Sequence, residues 1–151
     1  MPEPIVFEDT VSYLLAKVTT AYRNTIEQHM AKIDLHSGQV FVLIELWHQD
    51  GIKQIELAKL LNVKAPTVSN MLRGLEKINL IRTKKTTKDG RAMTVHLTEK
   101  GKKIRAEVEK RWIDVEAECI APLSKSDRVV LFEVLKKLRG TYTGQNVIDE
   151  D

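Results

Sequence analysis

The sequence predicts a mostly α-helical fold, six helices with one two-stranded β-hairpin near the middle. Three observations carry that expectation. Apolar residues recur every three or four positions through most of the chain, the signature of helices with one buried stripe. Across residues 80–98 the period falls to two, as it does in strands. Between those alternating stretches lies Lys88-Asp89-Gly90, a combination suited to a tight turn. The 151 residues suffice for a single domain with one hydrophobic core.

Taken in order, Phe7, Val11, Leu14, Leu15, Val18, Tyr22, Ile26 and Met30 mark one face of a long helix over about 6–31. QVFVLIELWHQ, bounded by Ser37-Gly38 and Asp50-Gly51, predicts a short and mostly buried helix. IKQIELAKLLNV resumes the helical spacing through Ile52, Ile55, Ala58 and Leu61. After the brief NVK connection, Pro66 suits the first turn of a new helix, where a missing N–H is harmless. That helix runs through TVSNMLRGLEKIN, and at 100° per residue Val68, Met71, Leu72 and Leu75 share one arc. Its opposite face carries Pro66, Asn70, Arg73 and Lys77, flanked by Thr67 and Ser69. Gly74, inside the helix, predicts close approach by another segment. LIRTKK and MTVHLT alternate as two strands. Two further helices follow at about 99–119 and 125–142, with Ser124 or Ser126 as N-cap of the last, and residues 143–151 form an acidic tail. Two helices joined by a tight turn and followed at once by a hairpin make a winged helix-turn-helix, here over about 36–98, with helices 6–31 and 99–142 around it.

Charge is distributed unevenly. Residues 1–50 carry a net −4, residues 51–111 a net +10 and residues 112–151 a net −3. A basic block between acidic flanks is the footprint of a phosphate-backbone binder. The densest part is RTKKTTKDGR, with five cations and one acid in ten positions at the hairpin. A solvated lysine-rich hairpin with an ordinary Asp-Gly turn is the alternative, and the polar helix immediately before it favours nucleic acid. On that helix Arg73 can pair with guanine, Asn70 with adenine, and Thr67 or Ser69 with bases or phosphates. The methyl groups of Ala65 and Thr67 can meet thymine, and Lys64 stands at the positive helix end, suited to a phosphate.

Other chemistry is poorly supported. No apolar run approaches a membrane span and the acidic N-terminus lacks the pattern of a secretory signal. One cysteine, Cys119, fits a reducing, cytoplasmic setting. His29, His36, His48 and His96 are dispersed without metal-ligand spacing, and there is neither a P-loop nor a glycine-rich nucleotide motif. The expectation is therefore no enzyme, no metal and no cofactor.

The ordered combination of LAKLLNV, TVSNMLRGLEK, Asp89-Gly90-Arg91 and LTEKG resembles the MarR family of bacterial winged-helix regulators. The similarity of element order extends over about 6–142, and the diagnostic motifs occupy about 52–102. The resemblance implies a homodimer held by the terminal helices, binding double-stranded DNA at a pseudo-palindromic operator, as a repressor. It places the wing tip in the minor groove, with Arg91 inserted there. Electrostatics agrees, since a narrow minor groove attracts a guanidinium. Asp89 would then hold Arg91 by accepting its hydrogen bonds, while Arg82, Lys84, Lys85 and Lys88 follow the phosphates. The resemblance also implies a small aromatic or phenolic effector, for which Tyr22, Arg23, His36, Ser37 and Trp47 are candidate contacts. A reactive cysteine, used by peroxide-sensing relatives near the first helix, is not matched by Cys119, which is expected to be an inert structural thiol. Two alternatives remain: a winged-helix adaptor for protein partners, against which the basic segment and wing argue, and a non-specific, nucleoid-type DNA binder, which would share the charge without discriminating sequences.

Overall fold

The computed structural model describes residues 1–86 and 92–143. Its helices are α1 (Val11–Ala31), α2 (Ser37–His48), α3 (Gln54–Leu61), α4 (Ala65–Lys77), α5 (Glu99–Lys103), α6 (Arg105–Ile120) and α7 (Lys125–Thr143). Its strands are β1 (Ile52–Lys53), β2 (Ile81–Lys85) and β3 (Met93–Leu97). Helices α5 and α6 meet at Ile104, which keeps right-handed helical geometry (φ −63°, ψ −18°), so together they form the single helix expected at 99–119. The mostly helical architecture with a winged helix-turn-helix at its centre is thus present.

The principal local differences have identifiable causes. Phe7 lies outside the first helix, in one turn of 3₁₀ helix over Phe7–Asp9. Helix α1 starts only after Thr10, whose hydroxyl oxygen accepts from the Tyr13 N–H at 3.2 Å; this side-chain cap fixes the start more strongly than apolar spacing does. Ile52, expected in a helix, instead pairs with Val95 in a third strand, and the antiparallel sheet has the order β1-β3-β2. Gly51 at φ +76° supplies the bend. Asp50 accepts hydrogen bonds from the N–H groups of Gly51 and Leu97, at 3.0 and 2.9 Å, and holds the end of α2 against β3.

The turn between α3 and α4 is short because Asn62 adopts a left-handed conformation (φ 51°, ψ 47°) at the end of α3. Its neighbour Val63 donates to the Ala58 carbonyl at 3.1 Å, closing the helix end. Val68, Leu72 and Leu75 of α4 then enter a core with Leu43 and Leu46 of α2, Leu57 of α3, and Leu80, Ile81 and Val95 of the sheet. The α2–α4 crossing is close on both sides: a Cβ on Gly74 would lie 2.7 Å from the Gln39 amide nitrogen, and one on Gly38 would lie 2.9 Å from the Met71 methyl carbon. Gly74 therefore occupies the close approach anticipated for it.

Outside this unit, α1 and α6 pack together through Ile26, Met30, Val108 and Val115, and His29 Nε2 lies 2.7 Å from Glu118 Oε1. Cys119, expected on the buried stripe with Val115, is exposed. One turn beyond Val115 a helix has rotated by about 40°, enough to carry the thiol to the surface. Partial desolvation first and the Glu116 carboxylate second raise the Cys119 thiol above its ordinary value, away from the lowered range of reactive thiols. Helix α7 begins at a reciprocal cap: Ser124 Oγ accepts from the Asp127 N–H, and Asp127 accepts from the Ser124 N–H. Its apolar residues are left in solvent, with Val130, Phe132 and Leu135 at 62%, 63% and 45% exposure. Val11, Leu14 and Val18 of α1 are exposed as well.

Candidate nucleic-acid interface

Helix α4 owes its position to the three buried residues on one side, which leave the other side outward. Lys64, Ala65, Pro66, Thr67, Asn70 and Arg73 are all exposed, and Ser69 is half-buried. Lys64 is the N-cap and provides no side-chain cap, so the positive end of the helix dipole faces outward without a protein anion at its cap. The polar residues are already organised. Arg73 donates from its guanidinium to Asn70 Oδ1 one turn earlier, and Gln54 Nε2 donates to Ser69 Oγ at 3.0 Å. Gln54 is the member of this constellation that sequence reasoning missed. Its side chain crosses from the first turn of α3 to α4, fifteen residues on, and a helical wheel of α4 alone contains no trace of it.

The hairpin is fastened to the same helix. Glu76 near the end of α4 accepts from the N–H and hydroxyl of Thr83 on β2, at 3.0 and 2.6 Å. At the other end, a cavity of about 470 Å³ is bordered by Ala65 and Val68 of α4, Gln54 of α3, and Ala92 and Met93 at the base of the wing. The N-terminal half of α4 and the wing base therefore flank one depression. Strand pairing continues to Lys85 opposite Met93, and Thr86 N–H donates to the Ala92 carbonyl at 2.9 Å. Arg82, Lys84 and Lys85 are exposed and enter no ion pair among the described residues. Lys88, Asp89 and Arg91 lie outside the described residues.

The five effector-contact candidates do not converge on one point. His36 Nδ1 and the Ser37 N–H both bond the Glu27 carboxylate, at 2.7 and 2.8 Å. The Ser37 backbone N–H is the main cause holding the Glu27 carboxyl below its ordinary value, with the His36 side chain adding to it against the opposing cost of burial. Trp47 is near the far end of α2, roughly 16 Å from His36 at 1.5 Å per residue. Its indole N–H donates to the Gly101 carbonyl at 3.0 Å, and Arg105 lies 5.8 Å from its ring centre. Tyr22 is half-buried beside Cys119 and Glu116, its hydroxyl pushed up chiefly by burial; Arg23 is exposed. Of the five, Trp47 borders an open cavity of about 730 Å³ between α2 and α6, with Arg105 and Trp112. No cluster of three His, Cys, Asp or Glu suited to a metal ion occurs among the described residues, and no described helix is long and apolar enough to cross a membrane.

Residues 35–93, from the loop before α2 to the first residue of β3, match the MarR family. That stretch is similar to the MarR family of winged-helix regulators. Similarity to solved MarR-family structures extends further along the chain. The Staphylococcus aureus MepR–DNA complex is 28% identical, with a TM-score of 0.75 over 87% of this chain and 97% of that one. CouR from Rhodococcus jostii RHA1, bound to p-coumaroyl-CoA, superposes at a TM-score of 0.82 over 95% of this chain and 99% of that one; at 16% identity it shows the shared fold alone. Among curated proteins, the uncharacterized HTH-type transcriptional regulator YwaE of Bacillus subtilis is 29% identical over 97 residues, 64% of this chain and 57% of its own length. The chain spans 57% to 64% of the length of the first curated relatives it matches. These MarR-family relatives are transcriptional regulators and not enzymes.

Proposed function

We propose that this protein belongs to the MarR family and is a homodimeric, sequence-specific DNA-binding repressor that occupies a pseudo-palindromic operator. The observation that carries the proposal is the outward face of α4, where Thr67, Ser69, Asn70 and Arg73 stand beside an uncapped helix N-terminus and the exposed cations of β2. Side chains of these types reach base edges in a major groove, and Arg82, Lys84 and Lys85 follow the flanking phosphates. Lys88, Asp89 and Arg91 complete the wing, with Arg91 directed into the minor groove and Asp89 restraining it. The DNA bound in the MepR complex supports this arrangement.

The uncovered apolar residues of α7 and the start of α1 support a second copy as the partner. Two such helices meeting across a two-fold axis remove apolar surface from water at about 25 cal/mol per Å². A dimer then presents two α4 helices to successive major grooves, about 34–36 Å apart. Regulation by a small aromatic or phenolic effector belongs to the same proposal. The cavity beside Trp47, Arg105 and Trp112 supports it, as do the p-coumaroyl-CoA of CouR and the natural ligand of PcaV from Streptomyces coelicolor.

Selection of bound duplexes from a random pool at about 150 mM salt tests the function, because screening at that salt suppresses binding by charge alone. The expected outcome is an enriched pseudo-palindrome with half-sites one helical turn apart. A pool that remains random despite measurable binding would identify a nucleoid-type binder, and absence of binding by the ligand-free dimer would leave the adaptor function.

A further inference from the structure

On the outward face of α4 the hydrogen bonds within the protein have already decided which groups remain for a ligand. Arginine has donors and no acceptor, so the Asn70 oxygen must face Arg73 and the Asn70 NH₂ group is turned away from it. Gln54 donates to Ser69 Oγ at 3.0 Å, which leaves the serine proton free to be donated elsewhere. Glu76, the carboxylate of this helix, is occupied by two donors from Thr83. Lys64 and the rest of the Arg73 guanidinium add donors only, so donors outnumber the acceptor lone pairs left on Asn70 Oδ1, Ser69 Oγ and the Thr67 hydroxyl.

We propose that α4 presents a donor-rich reading face, set by the Arg73–Asn70 and Gln54–Ser69 hydrogen bonds, and that its half-site is built on acceptor edges, guanine above all. The proposal rests on α4 being the helix that reads bases. In the major groove guanine offers two acceptors, O6 and N7, and no donor; thymine offers O4; cytosine offers a donor alone; adenine pairs one acceptor with one donor. A two-point contact between Asn70 and adenine must share the amide oxygen with Arg73, which already holds one of its lone pairs. Guanine satisfies Arg73 and the Asn70 NH₂ together and leaves nothing unpaired. Gln54 acts here as a positioning residue: it touches no base and directs the Ser69 proton outward.

The test repeats the random-pool selection with the full-length dimer, first wild type and then two variants. The expected wild-type site carries guanine at an inner major-groove position of each half-site, and 7-deazaguanine at that position weakens binding about ten-fold or more by removing N7. Asn70→Ala, which removes the Asn70 NH₂ donor and the restraint on Arg73, lowers the preference for guanine over adenine there by about ten-fold. Gln54→Glu replaces the donor to Ser69 with an acceptor, so the serine proton turns inward and the base opposite it changes from guanine or thymine to cytosine or adenine. Circular dichroism confirms that each variant is folded, and a loss of fold would not by itself change which base is enriched. A wild-type pseudo-palindrome whose half-sites contain no guanine would overturn the donor-rich face while leaving α4 as the reading helix. Identical enriched bases for wild type and Gln54→Glu would overturn the positioning role. No enrichment by the wild type would overturn the underlying function itself.

Discussion

In the proposed function, single side chains divide into those that hold the reading surface and those that meet the DNA. Lys84 is exposed on β2 and enters no ion pair among the described residues, so the role proposed for it is electrostatic. Lys84→Ala is expected to weaken binding to all DNA sequences alike and to flatten the dependence of log K on log salt by about one unit, measured by anisotropy titrations at several salt concentrations. Gly101 belongs to the other group. A Cβ there would fall 2.0 Å from the Leu80 carbonyl oxygen, where two backbones meet and no side chain can yield. Gly101→Ala is expected to cost at least about 1–3 kcal/mol in denaturant unfolding, the usual penalty for overpacking. The Glu27 carboxyl is lowered mainly by its bond to the Ser37 N–H. A carboxyl held below its unfolded value stabilises the fold above that value, here the ordinary 4.5, and the contribution disappears as pH falls through the lowered one. Glu27→Gln should therefore lose stability at pH 7 and approach the wild type below pH about 4, as thermal melts against pH would record.

At the scale of elements, what could be inferred from the sequence depended on how local its cause was. The buried and outward faces of α4 follow from spacing within thirteen residues, and the hairpin follows from strict alternation around a turn. Strand β1 has two residues and continues a helical spacing through Ile52, so only its pairing with β3, some forty residues away, distinguishes it. The Asp50 clamp on Leu97 and the Gln54 bond to Ser69 are likewise side-chain contacts across separate elements, invisible to any periodicity. The effector candidates illustrate the same limit. Residue types suited to a ligand were identifiable, but the Glu27 bonds draw His36 and Ser37 to one end of α2 while Trp47 stays at the other. Ser124 was legible as a cap because its partner Asp127 lies three residues away. Ser124→Ala is expected to destabilise α7 by about 1 kcal/mol, read as helicity lost in circular dichroism on heating.

For the whole molecule the decisive feature is that α7 contributes almost nothing to the core of its own chain, although it is long, well capped and apolar. Leu131 and Leu135 lie one turn apart on it, and both are exposed. The double substitution Leu131→Asp and Leu135→Asp should yield folded monomers in sedimentation experiments and lower operator affinity about a hundred-fold or more, since two half-sites would no longer be bound as one unit. The charge pattern is the one expected of the proposed assembly, in which the basic middle segment would face the phosphates and the acidic terminal segments would form the dimer body away from them. The measurement that tests the central claim most directly is a hydroxyl-radical footprint of the full-length protein on its selected operator. Two protected segments related by a two-fold axis, with centres about 10–10.5 base pairs apart, are the predicted result for paired α4 helices in successive major grooves. Protection spread evenly along the duplex, or confined to one half-site, would contradict the dimeric, sequence-reading account.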